Sequence, residues 1–351
     1  MTSLFHFDYP NVWTALADCR EPIVLYGMGN GADKVLDAFE KRNIKAAGVM
    51  ASDDFCRYQE YRGFTVKKQS DFESEFGSFT VALCFGSSLP DVMNHIDEVA
   101  RRHTLLVPNV PVVGDSLMDD AFIEAHQAEI ESAYALLADD PSRRVFKGAL
   151  DFYYTGRLGY LKGIESDKDE VFHDILRLHN ERYLDLGAYR GDTVDEFLRY
   201  ADGYESITAV EPNPKNFRKL SEHLENIKNA TAVNAGIADR EGVMYVTKGG
   251  GRMAALNADS GVEVPVVTVD SIGGNPTYIK VDIEGMESAM LDGAIRTLKE
   301  GRPKLNLAAY HRAEDFFKLI LRLHEIDPDY RIFLRKHPYI PCWDLNIYAI
   351  S

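Results

Sequence analysis

The sequence predicts an α/β protein built on two mostly parallel, doubly wound sheets: a smaller amino-terminal domain, a helical connector, then a larger seven-stranded domain. Three observations carry this. Short apolar runs alternate with stretches whose apolar residues recur at helical spacing. Two runs lead directly into glycine turns, Gly27-Met28-Gly29-Asn30-Gly31-Ala32 and Gly187-Ala188-Tyr189-Arg190-Gly191, and a helical pattern follows each. In the second half, acids stand at the ends of successive runs, at Asp185, Glu211 and Asp282.

The first domain is placed at 1–112. Strands are expected at 23–26, 46–50, 80–85 and 105–107, with a helix after the first glycine turn carrying Val35, Leu36 and Phe39 on one face. Residues 113–166 read as a helical connector, because Phe122, Ile130, Tyr134 and Leu137 fall at helix spacing. Its last part, FYYTGRLGYL, offers Tyr153, Tyr154 and Arg157 either as core packing with a snorkelling arginine or as the border of a pocket. The second domain is placed at 167–351. Its strands are expected at 183–186, 207–211, 230–235, 278–283, 304–308, 331–334 and 346–350, and its helices at 191–201, 214–226, 285–300 and 312–325. An extra hairpin, 242–247 with 262–269, is joined by the polar run KGGGRMAALNADSG, the composition of a mobile loop.

The 351 residues suffice for two domains with sizeable cores. Fifty-five acids against 39 lysines and arginines leave a net charge of −16, which disfavours nucleic acid and anionic membrane surfaces as partners. Cys19, Cys56, Cys84 and Cys342 are scattered without a CxxC pair, so neither a zinc site nor a disulfide framework is expected. With no signal-peptide pattern and no apolar run near the ~20 residues of a membrane helix, a cytoplasmic location is expected.

The chemistry gathers at the strand ends of the second domain. A glycine turn after the strand bearing Asp185 lets backbone approach a ligand closely. Glu211, at the end of the next strand, suits the two hydroxyls of a ribose. Asp239, after the third strand, suits the exocyclic amine of adenine. Nicotinamide enzymes share part of this pattern, but GAYRG lacks GxGxxG and the sheet continues to a seventh, antiparallel-looking strand. Ribose, adenine and methionine contacts over three strand ends match S-adenosyl-L-methionine.

The segments LDLGAYRGDT, AVEPNPKNFRKLSEHL, AGIADREG, VTVDSI, YIKVDIEGMESAMLDGA and the late Tyr310-His311 resemble the FkbM-type methyltransferase family over about 167–351, most specifically in IKVDIEGME. The resemblance implies a class I (Rossmann-like, seven-stranded) fold that transfers methyl from S-adenosylmethionine, usually to a hydroxyl of a sugar or polyketide-like acceptor. It places Asp185 near the amino end of the cofactor, with Gly187, Ala188 and Tyr189 along its methionine portion. The helix from Gly191 would receive the carboxylate, with Asp192 or Thr193 as cap. Glu211 would hold ribose, Asp239 adenine, and Asp282 would lie where donor and acceptor meet. Two departures stand out. The family usually carries Asn where Tyr189 stands, and an acid-x-His where Ala309-Tyr310-His311 stands; the second puts a metal role for that strand end in doubt.

Methyl transfer to a hydroxyl needs alignment, desolvation and a proton acceptor. His311 is the first choice as base and Asp282 the second, while Glu284 and Glu287 flank the helix start and equally suit its dipole. His311 equally suits a cap of the following helix. Asp282, Glu284 and His311 are ligand types a divalent ion accepts, but no metal is expected. The 248–262 loop would be an acceptor-side lid, with Arg252 for a phosphate or carboxylate.

Gly27 to Ala32 fits G-x-G-x-x-G/A, and Asp53 and Asp54 follow the second strand. From VLYGMGNG to RGFTV this part resembles the Rossmann-like amino-terminal unit of some sugar acyltransferases, which implies a nucleotide-sugar site. The plainer role is homodimer formation or acceptor docking. Two rival readings therefore stand beside the methyltransferase: a nucleotide-sugar-binding module, and an NAD-dependent sugar-modifying enzyme using this turn. No tyrosine–lysine hydride-transfer pair accompanies the turn.

Overall fold

The computed structural model describes residues 4–53, 55–247, 254–255 and 261–351. It contains two compact units, neither continuous in sequence. One comprises Met1–Ala128, Arg144–Glu165 and Lys336–Asp344, the other Glu129–Arg143, Ser166–Arg335 and Leu345–Ser351.

In the first unit, β1 (Ile23–Tyr26), β2 (Ala46–Met50), β3 (Thr80–Leu83) and β4 (Thr104–Leu106) form a parallel sheet in the order β2-β1-β3-β4. Every residue of β1 and β3 is buried, as parallel strands covered on both faces require. The first glycine turn lies where the strand order reverses. A Cβ on Gly27 would sit 2.6 Å from the Phe85 ring, and one on Gly31 would sit 2.2 Å from the Cys84 carbonyl oxygen. Helix Asn30–Arg42 thus rests directly on the end of β3.

The connector is helical, with helices Asp120–Ala135 and Asp140–Thr155, but it is divided: 129–143 belongs to the second unit and 144–165 to the first. The Tyr153 hydroxyl donates to the Cys342 carbonyl at 3.1 Å, that of Tyr154 to Asp120 at 2.5 Å, and Arg157 lies 3.7 Å from the centroid of Tyr9. These are packing roles.

The second unit holds β5 (His179–Leu186), β6 (Asp202–Val210), β7 (Ala230–Val233), β8 (Gly236–Ile237), β9 (Gly242–Thr247), β10 (Ala254–Ala255), β11 (Gly261–Val267), β12 (Tyr278–Val281), β13 (Lys304–Ala308), β14 (Arg331–Lys336) and β15 (Leu345–Ile350). Seven make the main sheet in the order β14-β15-β13-β12-β5-β6-β7, with β15 antiparallel to β13. The core beneath it includes stacked Tyr183, Phe197 and Tyr278, whose ring centroids lie 4.2 and 5.0 Å from that of Tyr183. Arg335, 1% exposed, is held by Asp139, Ser142 and Glu170, so the 129–143 segment is part of this unit's interior.

Three differences from the expected elements have physical causes. β5 begins at His179 because residues 179–182 already pair with the start of β6, with a register irregularity between Glu181 and Arg182; the buried Glu181 is held there by Lys304. β7 ends at Val233: the Asn234 amide donates to the carbonyls of Glu211 and Pro212, and the chain leaves for a second sheet, β8-β11-β9-β10, which contains the expected hairpin. The helix expected over 285–300 is broken into Glu287–Asp292 and a wide turn, Thr297–Gly301. A Cβ on Gly293 would lie 2.3 Å from the Ala238 carbonyl oxygen, so another segment crosses at the break. Among the described residues, no helix is long and apolar enough to cross a membrane.

Candidate active site

The site is set by the carboxyl ends of β5, β6, β12 and β13. Asp185, near the end of β5, is fully buried; its Oδ2 accepts from the Thr193 hydroxyl at 2.5 Å. Directly opposite in register on β12 stands Lys280. Its Nζ lies 4.0 Å from Asp185 Oδ1 and 3.8 Å from Asp282 Oδ2. Burial pushes the Asp185 pKa up, against the pull of Lys280 and Thr193. Burial works against the Lys280 charge too, but Asp282 and Asp185 prevail and raise its pKa. The lysine ties two strand-end carboxylates together. It carries no expected role from the sequence, yet its signal was there: a cation inside the apolar run YIKV of an interior strand must find an anion.

The turn after β5 is forced by its neighbours. Gly187 has φ +82°, and a Cβ there would fall 1.8 Å from the Asp282 carbonyl oxygen. A Gly187→Ala variant is therefore expected to lose at least ~3 kcal/mol of stability, read from denaturant melts. A melt superimposable on wild type would contradict this packing. The buried Ala188 is followed by Tyr189 at φ +48°, a left-handed position that asparagine tolerates better, which accounts physically for the residue usual there. Tyr189 itself is 47% exposed. Gly191, at φ +100°, is the N-cap of helix Asp192–Tyr200, and no side chain caps it. The expectation of Asp192 or Thr193 as cap is thus corrected: Thr193 is drawn to Asp185, and Asp192 is exposed.

Glu211 follows β6 and is 6% exposed, its pKa raised by burial. Its two oxygens accept from the backbone N–H groups of Asn213, at 2.8 Å, and Tyr189, at 3.0 Å. The carboxylate is therefore fixed in position, with the Asn216 side chain as a further partner. Asn213 in turn caps helix Pro214–Leu224. Asp239 is exposed and follows β8 rather than the third strand of the main sheet. Arg252 and most of the 248–262 loop lie outside the described residues, as does Asp54.

A second group gathers around His311, which follows β13 and is 1% exposed. Its Nδ1 lies 2.9 Å from Glu287 Oε1, and its Nε2 lies 3.4 Å from Asp282 and 3.5 Å from Glu284. The Tyr310 hydroxyl reaches Asp282 at 3.4 Å. Glu287, fully buried, also accepts from the Ile283 N–H at 3.1 Å. Burial opposes an imidazolium here, but Glu287 and then Asp282 and Glu284 overcome it and push the His311 pKa up to about 9. His311 does not cap the helix that follows: Asp315–Ile326 has Glu314 as its N-cap. The structure thus brings Asp282, Glu284 and His311 together, and adds Glu287, half-read from the sequence as a dipole partner.

Asp315, 3% exposed, accepts from the Arg312 N–H at 2.8 Å, and burial with the nearby Glu287 pushes its pKa up to about 7. The folded protein holds this proton more tightly than the unfolded chain. Stability should therefore fall as pH rises from about 4 to about 7. In metal-free protein, Asp315→Asn is expected to be more stable than wild type at pH 8, by about 2 kcal/mol, with no gain at pH 4. Equal gains at both pH values would contradict the assignment.

In the first unit, the Tyr61 hydroxyl receives the Gly29 N–H at 3.2 Å, and its single proton has the Gly29 carbonyl at 2.9 Å and Asp33 at 2.8 Å as alternative acceptors. It sits where a phosphate would need the backbone donor, and the glycines at 27 and 31 are explained by packing. A cleft of about 420 Å³ lined by Leu16, Ala17, 19–23 and Asn43–Ala47 lies at the amino ends of β1 and β2, opposite the end where such sheets hold ligands.

Residues 185–341 match the model of the methyltransferase FkbM domain. The whole chain is similar in fold to the crystal structure of Methyltransferase FkbM from Methylobacillus flagellatus, with TM-score 0.72, 22% identity, and coverage of 99% of this chain and 95% of that one. Smaller likenesses include a precorrin-6y C5,15-methyltransferase from Geobacter metallireducens (TM-score 0.34, 16% identity, 53% of this chain and 91% of that). Another is Aeropyrum pernix fibrillarin in complex with S-adenosyl-L-methionine (TM-score 0.33, 14% identity, 50% and 69%). No curated protein matches the chain.

Proposed function

We propose, from the premise that this chain is an S-adenosylmethionine-dependent methyltransferase with an FkbM domain at residues 185–341, that its acceptor is a hydroxyl of a sugar, glycan or glycan precursor. The observation that carries the reading is the gathering of Asp282, Glu284 and His311 beside the strand ends that bear Asp185 and Glu211. Carboxylates around a buried histidine suit an acceptor that must lose a proton.

In this reading the turn Gly187-Ala188-Tyr189 lies along the methionine portion, and the Asp185–Lys280 pair orders it. Gly191, Asp192 and Thr193 open the helix that faces the carboxylate. Glu211, fixed by two backbone donors, takes the ribose hydroxyls, and Asp239 reaches the adenine. Bound there, S-adenosylmethionine would supply the methyl group to an acceptor oxygen aligned with its carbon–sulfur bond and leave as S-adenosylhomocysteine, and the cluster would take the hydroxyl proton. With His311 held as an imidazolium near neutral pH, Asp282, about a third exposed, is the better placed acceptor of that proton.

The test is methyl transfer to a panel of mono- and oligosaccharides, free and nucleotide-linked. S-adenosylhomocysteine release with a methyl ether on the sugar is expected. Methyl transfer confined to amine or carbon acceptors would overturn the hydroxyl reading.

A further inference from the structure

We propose that Asp282, Glu287 and His311 bind one hard divalent cation, with Glu284 closing its rim. One ligand atom from each of the three lies within 4.8 Å of the other two. An octahedral ion with bonds of ~2.1 Å sets neighbouring ligands about 3 Å and opposite ligands about 4.2 Å apart, so the cluster needs only small movements to close on it. Glu284 reaches the same imidazole at 3.5 Å. Three carboxylates thus face one imidazole, whose coordinating nitrogen gives up its proton when an ion binds; Lys280 contacts Asp282 and Asp185.

An independent observation is Glu287 Oε2. It is fully buried and has no hydrogen-bond partner among the described residues, while its sister oxygen lies 2.9 Å from His311. A buried carboxylate oxygen without a donor carries a desolvation cost, and a cation removes it. Three oxygen donors with one imidazole suit magnesium or manganese better than a thiolate-seeking metal. The inference rests on the hydroxyl-acceptor reading for its chemical use: an ion here would hold the acceptor oxygen and lower the pKa of its hydroxyl, the need that a sugar creates.

The experiment is manganese titration of the chelator-stripped full chain, followed by electron paramagnetic resonance and calorimetry, without substrate. One bound ion per chain is expected, with affinity at least tenfold weaker in Asp282→Asn and His311→Gln. Because these touch buried groups, Glu284→Gln at the rim is measured beside them and is expected to weaken binding at least threefold with an unchanged melt. Retention of S-adenosylhomocysteine affinity in Glu284→Gln separates metal loss from cofactor loss. No binding in the wild type overturns the site, as does equal binding in all variants. Displacement of the ion by S-adenosylmethionine alone also overturns it, since the cluster would then serve the sulfonium. Sugar methylation is scored separately, so a failed acceptor assay with manganese bound counts against the hydroxyl reading and not against the site.

Discussion

Replacing His311 with glutamine is expected to lower kcat/KM by at least ~100-fold, almost entirely through kcat, while S-adenosylhomocysteine affinity stays within about threefold of wild type. His311 touches Glu287, Asp282 and Glu284 at once, so its loss removes the group that holds the carboxylates proposed to take the proton. The same change leaves Glu287 buried without its counter-charge, at a cost of about 3 kcal/mol. Kinetics therefore belong at a temperature where circular dichroism shows the variant folded. Full activity in a folded His311→Gln would remove the histidine from the reaction and leave it a packing residue.

Glu211→Ala is expected to weaken S-adenosylhomocysteine binding ~10- to 100-fold by calorimetry, the scale of losing hydrogen bonds to a charged group. Glu211→Gln should fall between, because its carbonyl oxygen can still accept from one of the two N–H groups now bound. If both variants bind as wild type does, Glu211 serves only to fasten Tyr189 and Asn213.

Much of this site was legible in the sequence because its parts are local. The turn from Gly187 to Gly191 and the acids at 185, 211 and 282 are each fixed by a strand end, and parallel order then brings them together. Asp192 and Thr193 suit a cap by residue type alone, but the buried carboxylate of the preceding strand draws Thr193 away. The Lys280 bridge depends on register between β12 and β5, 95 residues apart in sequence by their paired positions 280 and 185. The Glu287–His311 pair depends on how a helix start meets the end of β13. Helix breaking at Gly293 was invisible for the same reason, since the carbonyl that fills its missing Cβ belongs to a distant segment.

The interleaving of the chain sets the limits of modular use. A cut at residue 166, natural by sequence and close to the start of the FkbM match, would sever 129–143 from the unit that contains it. The fragment would keep Arg335 in its interior with Glu170 but without Asp139 and Ser142. Exchange of the catalytic half between relatives therefore cannot proceed by splicing at one junction. The segment 129–143 has to travel with it.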